Sequence, residues 1–253
     1  CGVKLGDGST LEADAVVMAV GMQAMQGIIR SSEHLGTIPE FARMNNLGAV
    51  DVCAVRLWLD KPTNTPYWSN AAWGFDEGVG MTFFDLKRLQ APEFDDEPGG
   101  VIEVDFYHAN TILALPDDAI VEKALHHLRS ALPALFASVS VLDSAVVRLP
   151  KAVSWFAPGS YQNLPPTVSP SVDRLFFAGD YIKTDHGSWS QERAYVTGLE
   201  AANQVAAKLN LKGPKAKVIP LKPDEPHVAA GRSAIKAARG ILPFSPLTDF
   251  IRI

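Results

Sequence analysis

The sequence is poor in cysteine and has no long apolar run. Only two of its 253 residues are cysteine, Cys1 and Cys53, too few for a disulfide scaffold, and this mildly favours a reducing compartment. No apolar run reaches the ~18 residues that indicate a membrane-spanning helix. The chain begins at Cys1 rather than at a methionine, inside what reads as a hairpin. We therefore expect a C-terminal piece of a longer protein, whose targeting cannot be read here.

Several motifs of known chemistry are also missing. The six histidines show no metal-ligand spacing, so we predict no metal site. There is no G-x-S-x-G nucleophile elbow and no P-loop. The glycine-rich fingerprint G-x-G-x-x-G, which places a dinucleotide's pyrophosphate on a helix N-terminus, is absent as well. Its nearest match, Gly78-Val-Gly80, lacks the third glycine and precedes aromatic residues, so we predict a turn there.

Charge is divided unevenly along a chain whose 47% hydrophobic content is typical of a globular protein. Residues 1–207 hold 14 Lys and Arg against 25 Asp and Glu, whereas residues 208–253 hold 9 against 3. The acidic main body argues against nucleic acid as a partner. In the basic tail, a predicted helix would carry Arg232, Lys236 and Arg239 on one side and Ile235 and Leu242 on another. It suits an anionic membrane surface, and a solvated helix is the alternative.

The most informative stretch runs from Arg174 to Gly198. An apolar strand, residues 175–178, leads into Gly179, where the missing side chain lets a ligand approach the backbone, and then into the carboxylate of Asp180. After a short loop we predict a helix with Ser188 as its N-cap and Gln191 completing a capping box. The free N–H groups of such an N-terminus can meet the oxygens of a cofactor.

Small side chains recur along one face of this helix at helical spacing: Ala194, Gly198, Ala201, Ala202 and Val205. We expect this flat face to lie close to a sheet or a cofactor. The segment Glu192-Arg-Ala194-Tyr-Val-Thr-Gly198, with the Ala-Gly-Asp turn before it, resembles the flavin amine oxidase and carotenoid desaturase superfamily. An ordinary strand, turn and helix of another α/β protein is the alternative interpretation.

The resemblance implies FAD as the cofactor. It implies that Asp180 approaches the ribityl and phosphate part of FAD and that the backbone around Gln191 faces the pyrimidine edge of the isoalloxazine. The predicted cofactor-binding residues are Gly179, Asp180, Gly187, Ser188, Trp189, Ser190, Gln191 and Ala194. His186 precedes the helix, where its ring would lie either near the flavin or in solvent.

The predicted fold class is α/β with an α+β substrate part: an incomplete, Rossmann-like FAD-binding domain with an inserted domain of one sheet and helices. We assign residues 1–30 and 170–210 to the FAD-binding domain, 45–165 to the substrate domain and 211–253 to a basic linker and tail helix. Apolar runs predict strands at 15–20, 50–59 and 101–107, and a helix begins at Asp117. Five prolines predict an extended connection over 150–173, and residues 212–226 a flexible linker.

Aromatic residues concentrate in the middle of the chain. Ten of the 22 lie between positions 50 and 110: Trp58, Tyr67, Trp68, Trp73, Phe75, Phe83, Phe84, Phe94, Phe106 and Tyr107. Some could line an apolar substrate cavity beside a flavin, and the alternative for each is ordinary core packing. The segments 55–62 and 80–86 resemble the carotenoid desaturase branch more than the amine oxidase branch.

These observations predict an FAD-dependent oxidoreductase of the carotenoid desaturase type, which transfers a hydride from an apolar substrate to the flavin. The chemistry belongs to the cofactor, so no catalytic side chain is predicted. An amine oxidase and a non-catalytic, membrane-associated relative are the alternatives. Since the dinucleotide fingerprint is missing, we expect no tight flavin binding by these 253 residues alone. The resemblance also implies a plastid location, with the cytoplasm as the alternative and peripheral membrane attachment in either.

Overall fold

A computed structural model describes residues 2–76 and 78–241 of the chain. Within these residues the chain forms two compact units, the first made of 2–48 with 154–241 and the second of 49–153. The inserted second unit begins and ends close to the predicted substrate domain of 45–165. The functional roles assigned to the two units stay predictions. Cys1 in the predicted hairpin and Leu242 in the predicted tail helix lie outside the described residues.

The secondary structure of the described residues is as follows. The strands are β1 (Gly2–Lys4), β2 (Thr10–Glu12), β3 (Val16–Met18), β4 (Gly48–Leu59), β5 (Ser69–Ala72), β6 (Gly80–Asp85), β7 (Val101–Tyr107), β8 (Val141–Trp155) and β9 (Leu175–Phe177). The α-helices are α1 (Met22–Ser31), α2 (Pro39–Met44), α3 (Leu86–Leu89), α4 (Ala91–Phe94), α5 (Asp117–Ala131), α6 (Pro133–Phe136), α7 (Ser190–Lys208) and α8 (Pro226–Ile241). Single 3-10 turns occupy Leu35–Thr37, Ala109–Thr111 and Ser160–Asn163.

The first unit is organised around two short parallel strands, β3 and β9. Val16 lies opposite Leu175 and Met18 opposite Phe177. All three residues of β9 are buried, as expected for a strand of a parallel sheet. The ring of Phe177 packs edge-on against Phe41 of α2, with 5.9 Å between ring centroids. Parallel pairing places the carboxyl ends of β3 and β9 at the same edge, where ligands bind in α/β proteins.

The second unit is a five-stranded sheet in the order β5-β6-β7-β4-β8. Side chains alternate across β7, so that Ile102, Val104 and Phe106 enter the core while Glu103 and Asp105 lie on the opposite face. Helix α5, which begins at Asp117 as predicted, packs its apolar stripe into the same core. One face of the sheet is therefore covered by α5 and α6, and the other is half-buried apart from a small cluster formed by Leu86 of α3, Phe94 of α4 and Val101.

The predicted extended connection over 150–173 is wrong in its first part. Residues 150–155 belong to β8, and the turn at Ser160–Asn163 interrupts the remainder. Pro150 lies inside β8, which is an edge strand of the sheet, the place where proline is tolerated in a sheet.

The segment after α7 is more ordered than the predicted flexible linker. The Asn203 amide makes two hydrogen bonds with the backbone of Ala216, donating to its oxygen at 2.9 Å and accepting from its nitrogen at 2.8 Å. In α8, the side chains described up to residue 238 are exposed, and Arg232 forms an ion pair with Asp224 at 2.6 Å. No helix among the described residues has the length and apolarity needed to cross a membrane. Attachment of the tail to a membrane surface stays a prediction.

Thr197 attaches α7 to the end of β9. This side chain is fully buried, and its hydroxyl accepts a hydrogen bond from Gly179 N–H at 3.0 Å. The same hydroxyl lies 2.9 Å from Gly179 O, to which it can donate. Arg193 O and Ala194 O compete for the single hydroxyl proton, and Gly179 O also accepts from Ile182 N–H at 3.3 Å. The bond that Thr197 itself supplies is therefore the one to Gly179 N–H.

We expect Thr197→Val to lower the free energy of unfolding by about 1–3 kcal/mol, because the isosteric valine leaves the Gly179 N–H buried without an acceptor. Urea denaturation of the whole chain measures this change. Thr197→Ser keeps the hydroxyl and is the matched control, which we expect to recover most of the loss. An unchanged midpoint for Thr197→Val would show that the bond to Gly179 contributes nothing to stability.

Candidate cofactor site

The predicted site residues begin where β3 and β9 end together. The ladder continues one step beyond β9, since Ala178 N–H donates to Met18 O at 3.1 Å. The Tyr181 hydroxyl then donates to Val20 O at 2.8 Å. Tyr181 is fully buried, and burial raises the pKa of its hydroxyl well above the ordinary range. This neutral phenol therefore ties the two segments that follow the strands to each other.

Gly179 needs to be glycine at this position. Its φ of +151° lies in a region that other residues rarely adopt, and a Cβ there would approach Tyr181 Cε1 to 3.2 Å. Asp180 follows with a half-buried carboxylate, whose Oδ2 accepts a weak hydrogen bond from Ser154 N–H at 3.4 Å. Most of the accepting capacity of this carboxylate remains for a ligand.

Arg193 fixes the start of α7 against the turn. Its guanidinium donates from Nε at 3.2 Å and from Nη2 at 2.8 Å to Ile182 O. The guanidinium carbon lies 5.4 Å from the centroid of the Phe156 ring. Burial lowers the pKa of Arg193, and the nearby charge of Asp180 opposes this shift. The cationic side chain therefore holds the loop in place through a carbonyl oxygen rather than by a direct ion pair.

The loop between Asp180 and α7 is held by its own polar side chains. Thr184 Oγ1 donates to Glu200 of α7 at 2.8 Å and accepts from His186 N–H at 3.1 Å. Ser188 N–H donates to His186 Nδ1 at 3.1 Å. His186 is therefore part of the loop structure and not a freely solvated ring.

The predicted cap of α7 is wrong. The helix begins at Ser190 with Trp189 at the N-cap position, and no side chain caps it. Ser188 lies one residue too early, because its N–H is held by His186 and Ser190 has a left-handed φ of +54°. The Ser188 hydroxyl oxygen is buried without a hydrogen-bond partner among the described residues. A polar atom and the first N–H groups of α7 are thus left unsatisfied close together in sequence.

The small-residue face of α7 differs from the prediction as well. Its buried residues are Val196, Thr197 and Ala201, whereas Ala202 is exposed. Ala194 is half-buried, and a Cβ on Gly198 would meet nothing within 4 Å. The helix therefore contacts β9 through a neighbouring stripe and leaves the face of Gly198 open.

Of the eight predicted cofactor-binding residues, the structure fixes Gly179 and Asp180 at the strand edge, with Ala194 on the helix that Thr197 attaches there. Ser188 is buried, Ser190 half-buried, and Gly187, Trp189 and Gln191 are exposed. Their contact with a cofactor stays a prediction. Sequence reasoning missed Tyr181, Arg193 and Thr197, although the last two lie inside the quoted helix motif.

The half-buried face of the five-stranded sheet carries mixed chemistry. Asp105 lies between Ala54 and Thr82 on the neighbouring strands, both of them small. One step along, Arg56 Nε donates to Glu103 at 3.0 Å. Burial, followed by the charge of Glu103, raises the pKa of Asp105 to about 6. Within the described residues this carboxylate has no hydrogen-bond or ion-pair partner.

The ten aromatics of this region divide into three groups. Phe83, Phe94 and Phe106 are core residues; Trp58, Phe84 and Tyr107 lie half-buried on or beside the mixed face; Tyr67, Trp68, Trp73 and Phe75 are exposed. Two of the exposed ones, Trp73 and Phe75, line an open depression of about 540 Å³ together with His108. Ordinary packing explains the first group and also Trp58 and Phe84, which pack against the cluster of Leu86, Phe94 and Val101.

Comparison with known proteins gives relatives of one kind. Residues 1–206 match the family "Flavin containing amine oxidoreductase". The chain is 24% identical over 211 residues to the 15-cis-phytoene desaturase of Solanum lycopersicum, covering 82% of this chain and 35% of the relative. It is also 24% identical over 216 residues to the carotenoid phi-ring synthase of Chlorobaculum tepidum, covering 83% and 32%.

Solved structures share the fold at low identity. A crystal structure of reduced UDP-galactopyranose mutase aligns with a TM-score of 0.58 and 8% identity, over 85% of this chain and 45% of that one. Of the two curated relatives named above, the chain spans about a third of the length. The predicted superfamily, the α/β fold class and FAD as the cofactor are confirmed. The chain belongs to the flavin-containing amine oxidoreductase family of FAD-dependent oxidoreductases.

Proposed function

We propose that this chain forms part of the FAD site of a carotenoid desaturase-like oxidoreductase, which moves a hydride from an apolar substrate to the flavin. The observation that carries the proposal is the element built from β9, the Gly179-Asp180 turn, the loop and α7. Three of its features suit the anionic part of a cofactor: a parallel strand edge, a glycine that keeps the backbone accessible and an uncapped helix N-terminus. The largely free carboxylate of Asp180 suits the hydroxyl groups of the same cofactor.

The residues present fit FAD. The buried, unpartnered Ser188 hydroxyl and the first N–H groups of α7 are donors for its oxygens, and the Asp180 carboxylate is an acceptor for its hydroxyls. The open face at Gly198 leaves room beside the helix. When bound, FAD supplies the hydride acceptor. The role of this chain is to orient the cofactor. Gly179 and Thr197 keep Asp180 in place through their hydrogen bond.

For the substrate we propose an apolar molecule bound by the second unit. The matched relatives that are named as phytoene desaturase and carotenoid phi-ring synthase support this class. The aromatic side chains Trp58, Phe84 and Tyr107 remain half-buried on this sheet face, although Trp58 and Phe84 also pack against Leu86, Phe94 and Val101, and their exposed parts offer apolar area to a ligand. The name of the tomato relative includes "chloroplastic/chromoplastic", so a plastid location is part of this proposal.

An amine oxidase is the second candidate, and Asp105 is the observation that favours it. Asp105 is a half-buried carboxylate with no hydrogen-bond or ion-pair partner among the described residues, on a face that also carries the Arg56–Glu103 pair. Such a carboxylate, when ionised, attracts a cation. A primary or secondary amine has that charge, whereas a hydrocarbon does not. Substrate-dependent release of hydrogen peroxide with amines, and none with hydrocarbons, would decide for this candidate.

We expect Asp180→Asn to weaken FAD binding by about tenfold to a hundredfold, because the substitution removes the charged partner of hydrogen bonds to the cofactor. The measurement is the Kd of FAD for the product of the complete reading frame that contains this chain, titrated by flavin fluorescence. Asp185→Asn changes the same residue type at an exposed position of the same loop and is the control.

Three outcomes of this titration are informative. Equal Kd values for wild type and Asp180→Asn would remove Asp180 from the site. A wild-type protein that binds no FAD would overturn the proposed function. Tight, stoichiometric FAD binding by the 253 residues alone would contradict the expectation that they lack half of the cofactor site.

Asp105 also gives a pH prediction. Its pKa is raised from 3.8 to about 6 in the folded chain, so the folded state holds this proton more tightly than the unfolded state. The resulting stabilisation is complete below the unfolded pKa and is lost as the pH rises through about 6. Asp105→Asn does not titrate, so its stability relative to wild type should increase from pH 4 to pH 7.5.

Urea denaturation at a series of pH values measures this difference, and Asp95→Asn, at an exposed position of the same unit, is the control. A difference that stays constant between pH 4 and pH 7.5 would show that Asp105 is not destabilised by its surroundings.

A further inference from the structure

The segment that follows α7 returns along the helix towards the loop of the candidate site. We call residues 211–221 the strap. It lies outside the 1–206 range that matches the family. At its start, Leu211 N–H donates to Ala206 O of α7 at 2.9 Å. The first side-chain attachment is the Asn203 amide, which donates to Ala216 O and accepts from Ala216 N–H. Beyond Leu211 the strap is therefore held on α7 by a side chain.

The second attachment joins the strap to the loop. His186 Nε2 lies 3.2 Å from Ile219 O. Leu221 packs beside Gly187, since a Cβ on that glycine would lie 3.6 Å from a Leu221 methyl group. The strap thus reaches two neighbouring residues of the loop, one through a polar contact and one through an apolar contact.

These contacts determine the tautomer of His186. Its Nδ1 accepts from Ser188 N–H and so carries no proton. In the neutral ring the proton is then on Nε2, which donates it to Ile219 O. A protonated ring would have no acceptor for Ser188. The neutral imidazole therefore connects the strap to the backbone of the residue whose buried hydroxyl lacks a partner.

We propose that His186 is a positioning residue and that the strap holds the loop 184–189 in place through it. The inference deepens the proposed function, on which it rests for the identity of the loop as a cofactor loop. The strap orders Ser188 and the start of α7 before the cofactor binds, which lowers the ordering cost of binding. Neither His186 nor the strap takes part in the chemistry.

Hydrogen exchange of the whole chain without flavin tests the coupling. His186→Ala should speed exchange of the Ser188 amide roughly fivefold to tenfold, the effect of losing one half-buried hydrogen bond. His186→Asn places an amide oxygen where Nδ1 was and should restore protection of Ser188, but not contact with the strap. His186→Gln places a donor near Ile219 and should do the reverse.

Asn203→Ala tests whether the strap acts at a distance. It releases the strap at Ala216, and we expect faster exchange both in the strap and in the loop at 184–189, which Ala216 does not reach. Gln204→Ala, at an exposed position one residue along the same helix, is the control. Loop protection that stays at the wild-type level in His186→Ala, or in Asn203→Ala while the strap itself opens, would overturn the proposal.

A second readout separates this inference from the proposed function. In the product of the complete reading frame, His186→Ala and Asn203→Ala should each raise the Kd of FAD roughly threefold to tenfold, and His186→Asn should raise it less than His186→Ala. If the wild type binds no FAD, the proposed function is wrong, and the hydrogen-exchange data still show whether the strap holds the loop in place. If the wild type binds FAD and these variants bind it equally well, the positioning role is wrong.

Discussion

The candidate site depends on one hydroxyl. Thr197, inside α7, accepts a hydrogen bond from Gly179 N–H and lies within hydrogen-bond distance of Gly179 O, so the turn after β9 is joined to the helix and its N–H has an acceptor. A buried amide without a partner costs about 1–3 kcal/mol, and a glycine at φ +151° has no intrinsic preference for this conformation. The hydroxyl therefore selects the geometry that glycine merely permits.

Hydrogen bonds from side chains to the backbone also hold the segments around this turn. Tyr181, Arg193 and Asn203 each bind a backbone oxygen of a distant segment, namely Val20, Ile182 and Ala216. Side-chain to backbone bonds thus replace a ladder where the strands have ended. The turn and the two segments that follow it are therefore held by several separate contacts. This arrangement leaves one side of Asp180 and the start of α7 accessible, as a ligand site requires.

What could be predicted from the sequence was local. Apolar runs predicted β7 and the start of α5 correctly. Such elements can be predicted because burial of one face requires apolar side chains at regular intervals along the sequence. The cap at Ser188 was predicted wrongly, since the spacing Ser-x-x-Gln cannot show that the Ser188 N–H is already bound by His186. The strap was missed for a related reason. His186 and Ile219 are 33 positions apart, and a hydrogen bond to a backbone carbonyl leaves no residue preference at the acceptor.

The sheet of the second unit shows how one strand can serve two environments. Along β7 the residues facing α5 are aliphatic or aromatic and fully buried, while Glu103, Asp105 and Tyr107 face the other way. Burial raises the pKa of Asp105, because the ionised carboxyl loses solvation on this half-buried face. The apolar substrate that we propose for this unit would lie on the same face. Asp105 would then distinguish a ligand with a cationic or hydrogen-bonding group from a hydrocarbon, because only the former can compensate the ionised carboxyl for its lost solvation.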